Sequence, residues 1–301
     1  MSHDGKISRR AVLKTGAAAM AASAAAGSMS FAAPKKSGEV RVLVLAGDYW
    51  HNGMMYEDHW RRILGVTGWN LLFAQSSKFI TPEVLKDTDL FIFGRYGGGN
   101  PGFTTDELVE ERPESDTWMS SEQEDAIIEN VTKRGMGIIP FHCSIANTVN
   151  KKVLELMGVK EMIMHGPCVM TSFYDLNPYH PITEGVESFE EVDEIFGAVM
   201  LNVDYIPLFK AKQNYELLRK ASGDPYSGGY YAERANFPLD RLAGWTREVG
   251  NGRMVYLNCM SHQMVFWKKS MKEIMWRSAY WAMNKDIPVS GLIEGRGVDR
   301  G

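Results

Sequence analysis

Val40-Arg41-Val42-Leu43-Val44-Leu45-Ala46, closed by Gly47-Asp48, is the stretch on which the fold class turns. Its apolar residues are consecutive, not alternating, and the run is too short for a helix. A run of this kind, bounded by turn residues, is expected of a strand buried on both faces, as strands of a parallel sheet are. The same pattern recurs downstream with helical spacing between the strands. Residues 55–64 have helical periodicity, 71–74 form a second strand, and Thr81-Pro82-Glu83 opens a short helix with Pro in its first turn. Residues 89–94 make a third strand. Ser120-Ser121-Glu122-Gln123 then supplies a hydroxyl cap with an amide close behind, ahead of an amphipathic run to Lys133. Gly135-Met136-Gly137 ends that helix and releases the strand at 138–141, and 252–258 is a late strand. Strands alternating with helices predict an α/β fold, a mainly parallel sheet with helices on both faces. One domain is expected over 40–290, followed by a flexible tail at 291–301.

Composition narrows the function classes. The 301 residues carry 33 Lys+Arg against 37 Asp+Glu, a net charge of −4, which leaves no basic face for a phosphate backbone and argues against nucleic-acid binding. At 45% hydrophobic and 23% charged, the chain is neither disordered nor fibrous. Cys143, Cys168 and Cys259 lie far apart and form no Cys-x-x-Cys pair, so a disulfide framework, an iron–sulfur ligand set and a Cys-rich zinc site are excluded.

The N-terminus carries an address. Ser8-Arg9-Arg10-Ala11-Val12-Leu13-Lys14 matches the twin-arginine export pattern, and an uncharged Ala/Gly/Met/Ser run follows over 15–30. It closes on Phe31-Ala32-Ala33, where signal peptidase is expected to cut before Pro34 or one residue earlier, leaving 34–39 as a charged spacer. The run is too weakly hydrophobic to make a stable membrane span, which needs about 20 strongly apolar residues. The expected partner is the twin-arginine translocase, and the expected location is the periplasm. That route carries folded cargo, which raises the expectation of a cofactor without naming one.

In a parallel sheet, ligands gather beyond the carboxyl ends of the strands, so the loops there are the ones that carry chemistry. They hold Asp48, Tyr49, Trp50 and His51 after the first strand, and Arg95 and Tyr96 after the third. His142-Cys143-Ser144 follow the fourth strand, and Cys259-Met260-Ser261-His262 follow the late one. Three histidines at one sheet edge point to a site. Gly97-Gly98-Gly99 lacks the Gly-Lys-Ser/Thr of a phosphate loop. The acidic insertion at 100–117 is expected either to form a flap over the site or to be a solvated loop. Tyr49, Trp50, Trp118, Tyr226, Tyr230, Tyr231 and Trp245 fall in or near expected loops, where aromatic faces can stack on sugars.

Three blocks carry a resemblance. Gly135-Met136-Gly137-Ile138-Ile139-Pro140-Phe141-His142-Cys143-Ser144 is the first. His180-Pro181-Ile182-Thr183-Glu184-Gly185-Val186, with Asp193-Glu194-Ile195-Phe196, is the second. Ala243-Gly244-Trp245-Thr246-Arg247, with Gly252-Arg253-Met254-Val255-Tyr256 and Ser261-His262, is the third. In this order they resemble the trehalose-utilisation (ThuA-like) family over 40–284. That family is similar to the class I glutamine amidotransferases, which implies a flavodoxin-like sheet with an elbow after one strand. The amidotransferases present a cysteine there, activated by a histidine in a His-x-Glu arrangement. Here the elbow position holds His142, with Cys143 one residue on, and His262 is followed by Gln263-Met264.

The strand ends and the resemblance together point to chemistry by His51, His142 and His262, with Asp193 as the carboxylate and with His180 and the Asp193–Glu194 pair as outer candidates. Tyr49, Trp50, Arg95, Tyr96, His180, Glu194 and Trp245 are expected to bind a small sugar. Imidazoles with a carboxylate suit a divalent metal, and they equally suit a metal-free acid–base set. Two function classes follow: an enzyme acting on trehalose, a related disaccharide or a keto-sugar, and a non-catalytic carbohydrate-binding protein.

Overall fold

A computed structural model describes residues 34–48, 51–96, 119–146, 150–165, 168–214, 240–289 and 291. The export leader, Gly97-Gly98-Gly99, the insertion at 100–117, and Tyr49, Trp50, Trp118, Tyr226, Tyr230 and Tyr231 lie outside the described residues. All the elements below belong to the unit Gly38–Gly301.

Strand β1 (Arg41–Ala46) is buried along its whole length. It pairs in parallel with β2 (Asn70–Ala74) on one side and β3 (Leu90–Gly94) on the other. β4 (Gly137–Pro140) continues the parallel order next to β3, and β11 (Gly252–Leu257) runs parallel beside β4. Beyond β11 the sheet reverses character. β10 (Asp240–Val249), β9 (Ile206–Gln213), β6 (Val169–Tyr174) and β7 (Phe189–Asp193) are joined antiparallel throughout. Among the described residues the sheet has nine strands in the order β2-β1-β3-β4-β11-β10-β9-β6-β7, and β5 (Val159–His165) pairs separately with β8 (Phe196–Met200). The parallel half is the one the sequence pattern predicts. The antiparallel extension is an addition to it, and its strand β6 alternates buried with more exposed residues, as a strand with one solvated face does.

Two-sided cover explains the apolar runs. Val42, Val44 and Ala46 join one cluster with Tyr56, Trp60 and Ile63 of helix α1 (Gly53–Leu64) and with Met271, Ile274 and Met275 of the C-terminal helix α5 (Lys269–Ala282). Leu43 and Leu45 point to the opposite face and are just as inaccessible. Both faces are dry, as expected when helices cover a parallel sheet.

Local chemistry sets the helix ends. Thr81 caps α2 (Pro82–Lys86) by accepting the Val84 N–H. Ser120 and Gln123 form a reciprocal capping box at the start of α3 (Ser121–Glu129). A π turn at Asn130–Arg134 extends α3 and stops at Gly135, whose φ of +87° suits glycine. Helix α4 (Lys151–Met157) leads into β5. Among the described residues no helix is long and apolar enough to cross a membrane.

Candidate functional site

The loop after β1 builds the first part of the site. Gly47 has φ +99°, and a Cβ there would lie 2.7 Å from the Gly53 Cα, so only glycine lets the chain fold back tightly onto the start of α1. The turn brings Asp48 against His51. Asp48 N–H donates to the His51 carbonyl at 3.0 Å, and His51 N–H donates back to Asp48 Oδ1 at 3.0 Å. The His51 ring closes the turn, with Nδ1 2.7 Å from Oδ1 and 2.9 Å from Oδ2. A carboxylate at Nδ1 holds the proton there and leaves Nε2 with its lone pair outward. Asp48 Oδ2 also accepts the Tyr96 N–H at 2.7 Å, which ties the loop after β3 to the loop after β1.

The loop after β4 supplies the second imidazole. His142 has φ +46°, a left-handed conformation that a non-glycine residue adopts at a cost, and it is fully buried. Its carbonyl accepts the Tyr256 hydroxyl at 2.6 Å, which helps to hold the strained turn. Its Nε2 lies 3.0 Å from His51 Nε2 and 3.5 Å from Glu194 Oε2. Burial pulls the His142 pKa down to about 4, partly opposed by Glu194, so the ring is neutral at neutral pH. Among the described residues His142 Nδ1 has no hydrogen-bond partner.

The carboxylate comes from the antiparallel half. Asp193 ends β7 fully buried, and it accepts three successive backbone N–H groups: Met260 at 2.7 Å, and Ser261 and His262 at 2.9 Å each. Burial pushes its pKa up to about 7 against these donors, which pull it down. Asp193 thus anchors the loop after β11, where Met260 has φ +82°. The next residue, Glu194, turns toward His142 and also accepts the Ser261 hydroxyl at 3.3 Å.

His51, His142 and Glu194 therefore offer one ligand atom each, all within 4.8 Å of one another. Asp48, His51 and Cys143 meet the same distance criterion. That second trio is a hydrogen-bonded network instead, because Asp48 already engages His51 Nδ1 and the Cys143 thiol points at Asp48 Oδ2 across 3.6 Å. Burial, reinforced by the charge of Asp48, drives the Cys143 pKa well above the ordinary thiol value. It is held as a thiol, the opposite of what a cysteine nucleophile needs.

The remaining expected site residues sit elsewhere. His262 stands at the same edge, but its Nδ1 accepts the Met264 N–H at 3.4 Å as the cap of a short turn, and its ring is in neither trio. His180 is buried, with Nδ1 accepting the Ile182 N–H and Nε2 3.4 Å from the Thr246 hydroxyl. Trp245 is fully buried, its indole N–H donating to the Met157 carbonyl at 2.9 Å and its ring packed on Tyr256. Neither His180 nor Trp245 presents a face to a ligand. Arg95 is buried and donates to the Gln75 carbonyl at 2.9 Å, and Tyr96 contributes its backbone N–H. Sequence reasoning named Asp48 in the loop after β1 but gave it no role, although its i,i+3 spacing to His51 was a readable signal.

Residues 41–282 match the ThuA family, described as trehalose utilisation. The chain belongs to the ThuA family. Among solved structures it is similar to a putative ThuA-like protein from Bacteroides uniformis, with a TM-score of 0.58 at 15% identity, covering 84% of this chain and 96% of that one. It is also similar to one from Parabacteroides merdae, with a TM-score of 0.56 at 14% identity, covering 85% and 96%. At these identities the likeness is one of fold. A search of curated protein sequences found no match.

Proposed function

We propose that this ThuA-family chain is an exported enzyme of trehalose, related disaccharide or keto-sugar utilisation, working at His51, His142 and Glu194 with one divalent cation. The observation that carries the reading is the approach of His51 Nε2 to His142 Nε2, 3.0 Å, with Glu194 Oε2 3.5 Å from the latter. Ligands about 2.1 Å from a cation stand about 3.0–3.4 Å apart, so the 3.0 Å pair falls in that range and the 3.5 Å pair lies just beyond it. Two imidazoles and a carboxylate suit zinc, manganese or iron. Asp48 supplies the outer carboxylate that orients a metal-binding histidine. When bound, the cation would polarise a sugar carbonyl or lower the pKa of a water. The strand order β2-β1-β3-β4 supports a flavodoxin-like arrangement of the kind found in class I glutamine amidotransferases. The twin-arginine run and the small residues before Pro34 support export to the periplasm.

Elemental analysis of protein purified without chelator tests this. About one metal per chain is expected, lost in His142→Ala and Glu194→Gln, together with turnover of the sugar. Wild type that holds no metal, and whose melting temperature does not respond to added Zn²⁺ or Mn²⁺, refutes the cation. The 3.0 Å contact would then be a histidine–histidine hydrogen bond in a metal-free acid–base pair. Disaccharide binding without turnover would leave a carbohydrate-binding protein. Arg9→Lys with Arg10→Lys is expected to strand the precursor in the cytoplasm, and unchanged export of that variant refutes the twin-arginine route.

A further inference from the structure

Tyr56 sits in the first turn of α1, five residues after His51. Its side chain is fully buried, and its hydroxyl has no hydrogen-bond partner among the described residues. Folded proteins rarely leave a buried hydroxyl unpaired, and an exception calls for something that occupies the space. The ring is wedged between His51, at 6.2 Å between centroids, Phe141 at 5.0 Å and Phe266 at 5.9 Å. It therefore cannot swing out to water.

The surroundings of the hydroxyl are those of the site. After burial, the groups that raise its pKa are Cys143, Asp48, Asp193 and Glu194, which come from the loops after β1, β4 and β7. A phenol hydroxyl offers one hydrogen to donate and a weak acceptor oxygen. Two other orphaned groups, His142 Nδ1 and Ser144 Oγ, belong to the loop after β4 itself, and Arg41 Nε lies on β1. Trp60 Nε1 lies a full turn further along α1, and Ser278 Oγ lies on α5.

We propose that the Tyr56 hydroxyl is a further substrate-contacting group, donating a hydrogen bond to an acceptor oxygen of the sugar held at His51, His142 and Glu194. The inference rests on the site assigned in the preceding subsection. It adds that the bound sugar reaches the wall formed by α1 and presents there an oxygen able to accept, such as a carbonyl or a ring or glycosidic oxygen. A fixed donor aimed at that oxygen is already in place before any charge develops on it, which is the arrangement that favours a polarised carbonyl.

The test uses the full-length mature chain labelled with 3-fluorotyrosine, with Tyr56→Phe identifying the Tyr56 fluorine resonance. Trehalose, added with and without Zn²⁺, is expected to shift that resonance. Tyr56→Phe is expected to weaken trehalose binding at least tenfold (about 1.4 kcal/mol) while leaving the melting temperature level or slightly higher, since no native hydrogen bond is lost. A lower melting temperature with unaltered sugar affinity would make the phenol structural and overturn the proposal. So would a Tyr56 resonance indifferent to trehalose under both conditions, the result expected if a buried water occupies the space. The two readings fail separately. If His142→Ala abolishes Zn²⁺ and trehalose binding while Tyr56→Phe is harmless, only the Tyr56 assignment falls. If Tyr56→Phe weakens binding while His142→Ala and Glu194→Gln leave it intact, Tyr56 stands and the histidine–glutamate site falls.

Discussion

The two halves of the sheet contribute to the site in different ways. In the parallel half, β1, β3, β4 and β11 all point their carboxyl ends to one edge, and each loop leaving that edge delivers a polar group: His51, the Tyr96 amide, His142 and the Met260–His262 amides. In the antiparallel half, successive strands point in opposite directions, so only some loops reach that edge. The end of β7 does so, and it brings the carboxylates Asp193 and Glu194. The parallel half provides the two imidazoles, the backbone donors and the Asp48 carboxylate behind His51, and the antiparallel half provides the carboxylates that face His142 and the β11 loop. Neither half holds the complete set, so the joint between them carries both stability and chemistry.

The largest effect is expected where the halves are stitched together. Asp193→Ala leaves three amides of the β11 loop, one buried and two part-buried, without an acceptor. At about 1 kcal/mol or more for each unpaired group, the loss is about 3 kcal/mol at the least. Urea unfolding checks this, and an unchanged midpoint would mean that the joint is held by something else. His142→Ala and Glu194→Gln break the comparison differently. They remove one group from each half and are expected to lower turnover about 10²–10⁴-fold, with melting temperatures within a few degrees of wild type. If the two groups act as a unit, the double variant is hardly worse than either single one. Asp48→Asn leaves both halves in place but weakens the orientation of His51, with an expected loss of about 10–100-fold in metal affinity or rate.

The same contrast explains what the sequence disclosed. β1 and β4 are uninterrupted apolar runs, so their ends, and with them His51 and His142, could be located by counting. Glu194 was legible only as an outer candidate, because the direction of β7 depends on its antiparallel neighbours and not on its own residues. His262 follows a strand that is equally easy to find, yet its ring caps a turn, a role decided by a single backbone geometry. Trp245 and His180 were placed in the site on residue type, whereas packing against Tyr256 and Thr246 puts them in the interior. Tyr56 could not be found at all from periodicity, since an aromatic on the buried stripe of a helix looks like core until its hydroxyl proves unpaired.

Acid should weaken both halves. Burial lowers the pKa values of His142, of His59 on α1, stacked at 4.2 Å on Phe266, and of His180 to about 4 from 6.5. The folded state then binds fewer protons than the unfolded chain between these values. Their contribution is complete above pH 6.5 and is lost as pH falls toward 4. Asp193, raised to about 7, has the opposite sign and offsets part of the loss over the same interval. Melting temperatures between pH 7.5 and 4.5 should therefore decline, and a flat profile would mean that the histidines are not held neutral.

The smallest effect is expected at Cys143, which touches the joint without serving it. Cys143→Ser keeps a donor pointing at Asp48 Oδ2 and changes the side-chain volume little, so the Asp48–His51 contact survives. The hydroxyl is more polar than the thiol it replaces, but it inherits a charged acceptor, which limits the cost to about 1 kcal/mol. Turnover should stay within about threefold of wild type, because a thiol held protonated by burial and by a neighbouring carboxylate is not the attacking group. Calorimetry and initial rates on one preparation decide it. If Cys143→Ser is inactive while His142→Ala retains its rate, the thiol is the nucleophile. The elbow would then belong to cysteine chemistry, and the division of labour between the two halves would have to be redrawn around Cys143.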